Sequence, residues 1–362
     1  MSAQPLRAVI VGGHIGRSHA TGYLASDRID LVAVCDIDPN TLAEFADEFD
    51  VENRYTDYET MLREEEPDLV SIGTPQQLHA WMTILAATRY TPRAIVCEKP
   101  MASNTGEGYA MLAACERNGV KLAIGHQGRW MPRHETVRQL IADGAIGQVI
   151  TAFAGPPKPN AGLMNIATHQ LNYWQYMLGD PTPLWVLANV QRQTDRYERG
   201  WPAEDLAGLL VEFEGGIRLS MESDTPPEGL ERDLRVITGT EGVIWLAGGT
   251  AGNVIRILRH GASGWETIEA SEAEFSDART LELDALAAWA TGEIDEHRGD
   301  ANLAIHTLEI LMGIYESARA HSLVRLPLQT KGSPLTAMID AGDLPVRYPG
   351  HYDIRHKSAT PD

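Results

Sequence analysis

The chain has 362 residues, more than one ordinary core accommodates, so two domains are expected. Its formal net charge of −20 argues against a nucleic-acid or anionic-membrane partner. It leaves an anionic cofactor open, because backbone N–H groups at helix starts hold phosphate without basic side chains. The 43% hydrophobic content describes a globular protein; no apolar run reaches membrane-span length, and the first residues lack the basic-then-apolar form of a signal peptide. A cytoplasmic protein is therefore expected. Cys35, Cys97 and Cys115 suggest neither a disulfide framework nor a metal site.

Arg7 to Val11 reads as an apolar strand running into Gly12-Gly13-His14-Ile15-Gly16, with a helix from near His14 through Ala25. Strand, glycine turn, helix is the setting in which a glycine fingerprint points to a dinucleotide. The pattern is irregular: either Val11 stands in the first glycine's place, or Gly12 is first and the loop is one residue short. A plain glycine turn is the alternative. Leu31 to Asp36 is a buried strand ending in an acid, 20 residues after Gly16, which suits a carboxylate on the ribose hydroxyls. The alternative for Asp36 is a capping or turn aspartate. Asp38-Pro39-Asn40 starts a helix to about Phe49, and Tyr58 to Glu65 is another.

Asp68 to Gly73 is a strand, followed by Thr74-Pro75 and a helix through Ala87. Ala94 to Glu98 is a strand stopped by Lys99-Pro100; proline cannot donate to a ladder. A lysine at the carboxyl end of a parallel strand stands where open α/β sheets bind ligands. The residues alone leave Lys99 open between such a site group and a surface turn. Thr105 to Asn118 is helical and Lys121 to Gly125 is a strand; the alternation argues for a doubly wound parallel sheet.

Beyond Pro132 the texture changes. Pro132 to Ala142 is a helix, Gln148 to Ala154 a strand, and Gly155 to Gly162 a loop that could line a cleft. Leu163 to Leu178 is helical, with Asn165, His169 and Asn172 on one face. Between Trp185 and Glu269 the pattern is strand-like, with Leu206–Phe213, Ile217–Ser223, Asp233–Thr238, Val243–Leu246 and Val254–Leu258 as strands. Hairpin signals at Gly215-Gly216 and Gly239-Thr240-Glu241-Gly242 point to an antiparallel sheet. Glu282 to Ala290 and Asn302 to Ala320 are late helices, and Ser333 to Asp362 reads as an arm or tail. The expected domains are 1–126, 127–330 and the arm 331–362.

Taken together, these segments resemble the glucose-fructose oxidoreductase / inositol dehydrogenase / rhizopine-catabolism (Gfo/Idh/MocA) family. The carrying residues are Gly12 to Ala20, Val34 to Pro39, Thr74-Pro75-Gln76-Gln77-Leu78-His79, Cys97-Glu98-Lys99-Pro100, Leu122 to Gln127, Thr168-His169 and Tyr315 to Arg319. The resemblance implies an α/β protein: an N-terminal Rossmann domain and a C-terminal α+β domain with a large open, mostly antiparallel sheet. It implies a homodimer or homotetramer, and a Lys99–Pro100 peptide that is often cis. It places the dinucleotide at Gly12, Gly13, His14, Ile15, Asp36, Ile37, Thr74, Pro75, His79, Glu98 and Lys99. Lys99 and His169 would carry the chemistry, binding a sugar or cyclitol hydroxyl and handling its proton. For His169 the residues alone also allow a histidine satisfied on a packed helix.

Asp36 and Asp38, with no basic residue before Asn40, favour NAD over NADP. Substrate contacts are expected from Lys99, His169, Asn165, Arg129 and Trp130; Arg133, Lys158, Asn160 and Trp201 are further cleft candidates. No metal site is read from the histidines. Where many members of the family carry aspartates, this chain has Asn165 and Asn172, which cannot take a proton. An NAD-dependent sugar or inositol dehydrogenase is the first reading. A glycosidase or epimerase that retains NAD and oxidises transiently is an alternative, as is a non-catalytic regulatory relative.

Overall fold

A computed structural model of the chain describes residues 4–155, 162–223, 235–246, 254–271, 273–350 and 352–353. The chain divides into two compact units: Met1–Met131 with Ala273–Ile305, and Pro132–Glu272 with His306–Asp362.

The first unit opens with alternating strands and helices: β1 (Leu6–Val11), α1 (Gly16–Leu24), β2 (Ile29–Cys35), α2 (Pro39–Glu48), β3 (Asn53–Tyr55), α3 (Tyr58–Glu65), β4 (Leu69–Ile72), α4 (Gln76–Leu85), β5 (Ala94–Glu98), α5 (Thr105–Arg117) and β6 (Lys121–Gly125). The six strands pair parallel in the order β3-β2-β1-β4-β5-β6. The order reverses between β1 and β4, so a crevice opens beyond their carboxyl ends. Helix starts follow the local chemistry. Asp38 accepts from Asn40 N–H and Thr41 N–H with Pro39 in the first turn; Asp57 accepts from Thr60 N–H and Asn104 from Glu107 N–H. α1 begins at Gly16 rather than near His14, because residues 12 to 15 form the turn itself.

The second unit holds α6 (Pro132–Ala142), β7 (Val149–Ala154), a π-turn at Gly162–Ala167 leading into α7 (Thr168–Met177), β8 (Pro183–Gln191), the short β9 (Tyr197–Glu198) and β10 (Trp201–Pro202), β11 (Leu206–Phe213), β12 (Arg218–Glu222), β13 (Arg235–Gly239), β14 (Gly242–Leu246), β15 (Val254–Arg259) and β16 (Glu266–Glu269). After them come α8 (Phe275–Thr291), α9 (Ala301–Ala320), β17 (Val324–Arg325) and α10 (Pro334–Ala341). Among the described residues nine strands form one sheet in the order β16-β15-β14-β13-β7-β12-β11-β8-β17. Among the described residues of this sheet only β7 and β12 pair parallel; both glycine hairpins join antiparallel neighbours. β11 alternates buried and half-buried positions, the period-two signature of a sheet with one covered face.

α8 belongs to the first unit although the sequence grouped it with the second domain. Its Leu283, Leu286, Ala287 and Trp289 complete a core begun by Ala8, Ile10, Ala20, Tyr23, Val34 and Phe45. The helix also starts seven residues before the expected Glu282. Arg279 and Glu282, 1% and 0% exposed, interrupt its apolar stripe with charge and hide the period. The expected C-terminal arm contains α10, with Ser333 accepting from Thr336 N–H and Leu335 and Met338 buried. No helix among the described residues is long and apolar enough to cross a membrane.

Candidate active site

The crevice of the first unit is shaped by glycine. Val11 lies opposite Ile72 where β1 and β4 end. Gly12 continues at φ +98°, and a Cβ there would lie 2.4 Å from the Gly73 carbonyl oxygen. Only glycine fits that conformation at that distance, so Gly12 is the turn residue of the irregular loop. Gly13 N–H donates to Asp36 Oδ2 at 2.7 Å, and Asp38 N–H donates to Asp36 Oδ1 at 2.9 Å. The carboxylate is thus fixed at the end of β2 beside the glycine turn. Ile37 next to it is 88% exposed, and His14 and Ile15 complete the turn. Arg17, in the first turn of α1 just after the loop, is engaged by Glu48 at 2.6 Å.

At the end of β4, Thr74 and Pro75 lead into α4. His79 from that helix is 1% exposed, with Nε2 2.8 Å from the Thr74 carbonyl and Nδ1 2.9 Å from the Pro100 carbonyl. A neutral imidazole donates to one carbonyl only, whereas a protonated ring would serve both. Burial nevertheless pushes the His79 pKa down, against the pull of the two carbonyls. The ring ties the β4 loop to the Lys99–Pro100 turn, whose peptide is cis. Lys99 itself is half-buried at the end of β5.

Under Lys99 lies a buried polar network. Glu98 is 4% exposed; His19 Nε2 reaches its Oε1 at 3.1 Å, and an Arg279 Nη2–H donates to the same oxygen. Its Oε2 accepts the Lys99 backbone N–H at 3.2 Å. Arg279 also pairs with Glu282 at 2.6 Å. Burial lowers the His19 pKa and Arg279 lowers it further, so the ring is neutral. Its Nε2–H then donates to Glu98, and Nδ1 accepts from Ser71, whose hydroxyl lies 2.6 Å from the Tyr23 hydroxyl. Burial would raise the Glu98 pKa, but Arg279, His19 and Lys99 together hold it well below the usual carboxylate range. Burial and Glu98 push Glu282 up to about 7, against the opposing pull of Arg279. One guanidinium between two buried carboxylates leaves the proton on the carboxylate with fewer other partners.

The second unit presents Asn165 and His169, both half-buried, on the π-turn and the first turn of α7. Leu163 N–H donates to the buried Glu204 at 2.6 Å, and Tyr315 donates to its other oxygen at 2.7 Å. Asn172 faces the interior instead: it is 1% exposed and donates to Thr307, which in turn donates to Gln175. Asn165 thus lies in the π-turn, while His169 and Asn172 stand three residues apart in α7. π-turns inside helices are frequent at functional sites.

Residues 6–126 match the family model described as "Oxidoreductase family, NAD-binding Rossmann fold", and residues 134–245 match the "GFO/IDH/MocA C-terminal domain". The chain belongs to the Gfo/Idh/MocA oxidoreductase family. A D-apiose dehydrogenase of Paraburkholderia graminis is 27% identical over 365 residues, covering 92% of this chain and 93% of that protein. A D-xylose 1-dehydrogenase (NADP(+)) of Haloferax volcanii is 26% identical, covering 86% and 97%. The solved structure of a levoglucosan dehydrogenase in complex with NADH and levoglucosan superposes with a TM-score of 0.77 at 21% identity, covering 90% of this chain and all of that one.

Within this Gfo/Idh/MocA chain, the first unit gathers Gly12, Gly13, Asp36, Thr74, His79, Glu98 and Lys99 around the strand ends. The second carries Asn165 and His169. Arg129 is 1% exposed in a short 3-10 turn (Gln127–Trp130) after β6, and its carbonyl accepts from Arg298. Trp130 lies against His297, beneath the Arg298 guanidinium. In the second unit Arg133 donates to His134, and Trp201 is half-buried in β10. Lys158 and Asn160 lie outside the described residues. Among the described residues no cluster of His, Cys, Asp and Glu is arranged for a metal. Sequence reasoning missed Glu204, Arg279 and Glu282; for Arg279 and Glu282 the signal is a charge on the buried stripe of α8, and Glu204 lies between β10 and β11, where no period applies.

Proposed function

We propose that this protein is an NAD-dependent dehydrogenase that moves hydride between nicotinamide and a hydroxyl carbon of a sugar, sugar derivative or inositol. The observation that carries this reading is Lys99, held at the carboxyl end of β5 by the Glu98 network in the unit that matches the NAD-binding family model. The residues present fit a dinucleotide. Gly12 at φ +98° keeps the backbone open to a pyrophosphate, with His14 and Ile15 completing that turn before α1. Asp36 offers its carboxylate to ribose hydroxyls, and the exposed Ile37 beside it suits the face of an adenine. Thr74 and Pro75 stand at the nicotinamide end. Asp36 would repel a 2′-phosphate, and Arg17 is committed to Glu48, so NAD is preferred over NADP.

When bound, the nicotinamide ring supplies a hydride acceptor at C4. Lys99 Nζ and the His169 ring bind the substrate hydroxyl, and one of them takes its proton as the carbon gives up hydride; the same pair returns it in reverse. Asn165 and Trp130 are further substrate contacts. Arg129, in the turn after β6, is a further candidate substrate contact, while the buried Glu98 and His79 hold the backbone around them. We further propose a homodimer or homotetramer; Leu184 and Leu187 on β8 remain exposed on the single chain.

The test is titration with NAD and NADP followed by reduced-nicotinamide absorbance on D-apiose, levoglucosan, D-xylose and myo-inositol, with Lys99→Ala as control. NAD binding is expected in both proteins. Turnover is expected to fall about a hundredfold or more in the variant. Failure of the native chain to bind either nucleotide would overturn the reading. Retained NAD without net reduction would favour the transient-oxidation alternative.

A further inference from the structure

We infer that Arg279 is a positioning residue for Lys99, acting from α8 through the carboxylate of Glu98. The inference rests on the dehydrogenase reading above for its consequence in turnover, and on geometry for its existence. Arg279 and His19 hold one oxygen of Glu98, while the other receives the backbone N–H of Lys99. Where the guanidinium fixes the carboxylate, it also fixes the turn from which the ammonium projects.

Two independent features show that the fold makes room for this contact. Gly125, opposite Glu98 in the β5–β6 ladder, has no Cβ; one built there would lie 2.9 Å from Glu98 Oε1 and 3.0 Å from Arg279 Nη1. Any larger residue would wedge the pair apart. Gly22 on α1 lets α8 approach equally closely: a Cβ there would lie 2.7 Å from Leu283 Cδ1. Leu283 and Leu286, in the next turns of α8, are fully buried, so the arginine is mounted on a rigid support.

Stability alone is a poor account of such an arrangement, since a buried ion pair is often no better than well-packed apolar side chains. The charged and titratable groups facing Glu98 are His19 from α1, His79 from α4, Arg279 and Glu282 from α8, Cys97 on its own strand and Lys99 in the turn that follows. Of these, Arg279 combines a permanent charge with a fork that orients a carboxylate. Residue 279 lies outside both family-model matches, which end at 126 and 245.

The test uses the full chain as Arg279→Met, Arg279→Lys and Gly125→Ala. The first readout needs no substrate: trace labelling of amines with acetic anhydride, with Lys99 followed by mass spectrometry across pH and Lys331 as internal reference. Without the guanidinium, the Glu98 charge falls to Lys99. The Lys99 labelling midpoint is expected to move to higher pH in Arg279→Met and part of the way back in Arg279→Lys. NADH affinity, read by fluorescence, stays at the native value. On whichever sugar turns over, kcat is expected to fall about a hundredfold in Arg279→Met and about tenfold in Gly125→Ala, with KM unchanged. A folded Arg279→Met with native Lys99 labelling and native kcat overturns the inference. If that variant does not fold, the Lys and Ala variants decide by the same readouts. Loss of the dehydrogenase reading would show instead as no NADH binding by the native chain, while the labelling comparison would still decide the role of Arg279.

Discussion

At the scale of single residues, Asp36 and Glu282 show what a carboxylate does in two settings. Asp36 sits at a strand end, half-buried, with both oxygens on backbone N–H groups. Asp36→Ala removes an acceptor of charge-assisted bonds and is expected to weaken NAD binding about tenfold or more and NADP binding less; paired titrations check both. Glu282 is sealed in beside a guanidinium that also serves Glu98. Its pKa is raised from 4.5 to about 7 by burial, so it binds more protons folded than unfolded. Its contribution to stability is full below pH 4.5 and is lost as pH rises through about 7. Glu98, depressed by its partners, has the opposite sign: its contribution is present above pH 4.5 and lost on acidification. Glu282→Gln stays neutral throughout. Its melting temperature relative to the native chain is therefore expected to climb from pH 4.5 to 7 and then level off; a flat difference would refute the assignment.

At the scale of elements, α8 carries most of what the sequence concealed. Its stripe runs through Arg279, Glu282, Leu283, Leu286 and Ala287, all 1% exposed or less. Two of those five are charged, so a search for apolar periodicity enters the helix late. Leu283→Ala opens a cavity against α1 and is expected to cost about 2–5 kcal/mol in denaturant unfolding. The segment bearing His169 shows the same limit. Its spacing reads as one continuous helix, but a π-turn at Gly162–Ala167 precedes α7, and the buried Glu204 accepts from Leu163 at its start. By contrast β1, β4, β5 and β6 were legible almost to the residue, because strands buried on both faces are unbroken apolar runs that end at glycine, proline or charge.

At the scale of the whole molecule, the first unit is discontinuous in sequence. Residues 1–131 contain all six parallel strands, but the core they form is closed by α8. A fragment ending at 131 is therefore expected to lack a cooperative melt. The same fragment joined by a flexible linker to residues 273–305 is expected to recover one; calorimetry distinguishes the two. A cooperative transition in the shorter piece would show that α8 is dispensable to that core.

The glycine turn, the spacing to Asp36 and the strand-stopping Glu98-Lys99-Pro100 determined by themselves a doubly wound parallel sheet and the place of its crevice, and the family was legible as a resemblance of the motifs from Gly12 to Arg319. These are local signals: apolar runs, turn chemistry and short spacings are written in adjacent residues. Tertiary structure decided what lies far apart in the chain. It made Gly12 the turn residue by pressing it against Gly73, turned Asn172 inward to Thr307, and brought Arg279 to Glu98 across 181 positions. Contacts of that kind depend on which surfaces meet when helices and sheet pack, and no spacing rule along one chain encodes them.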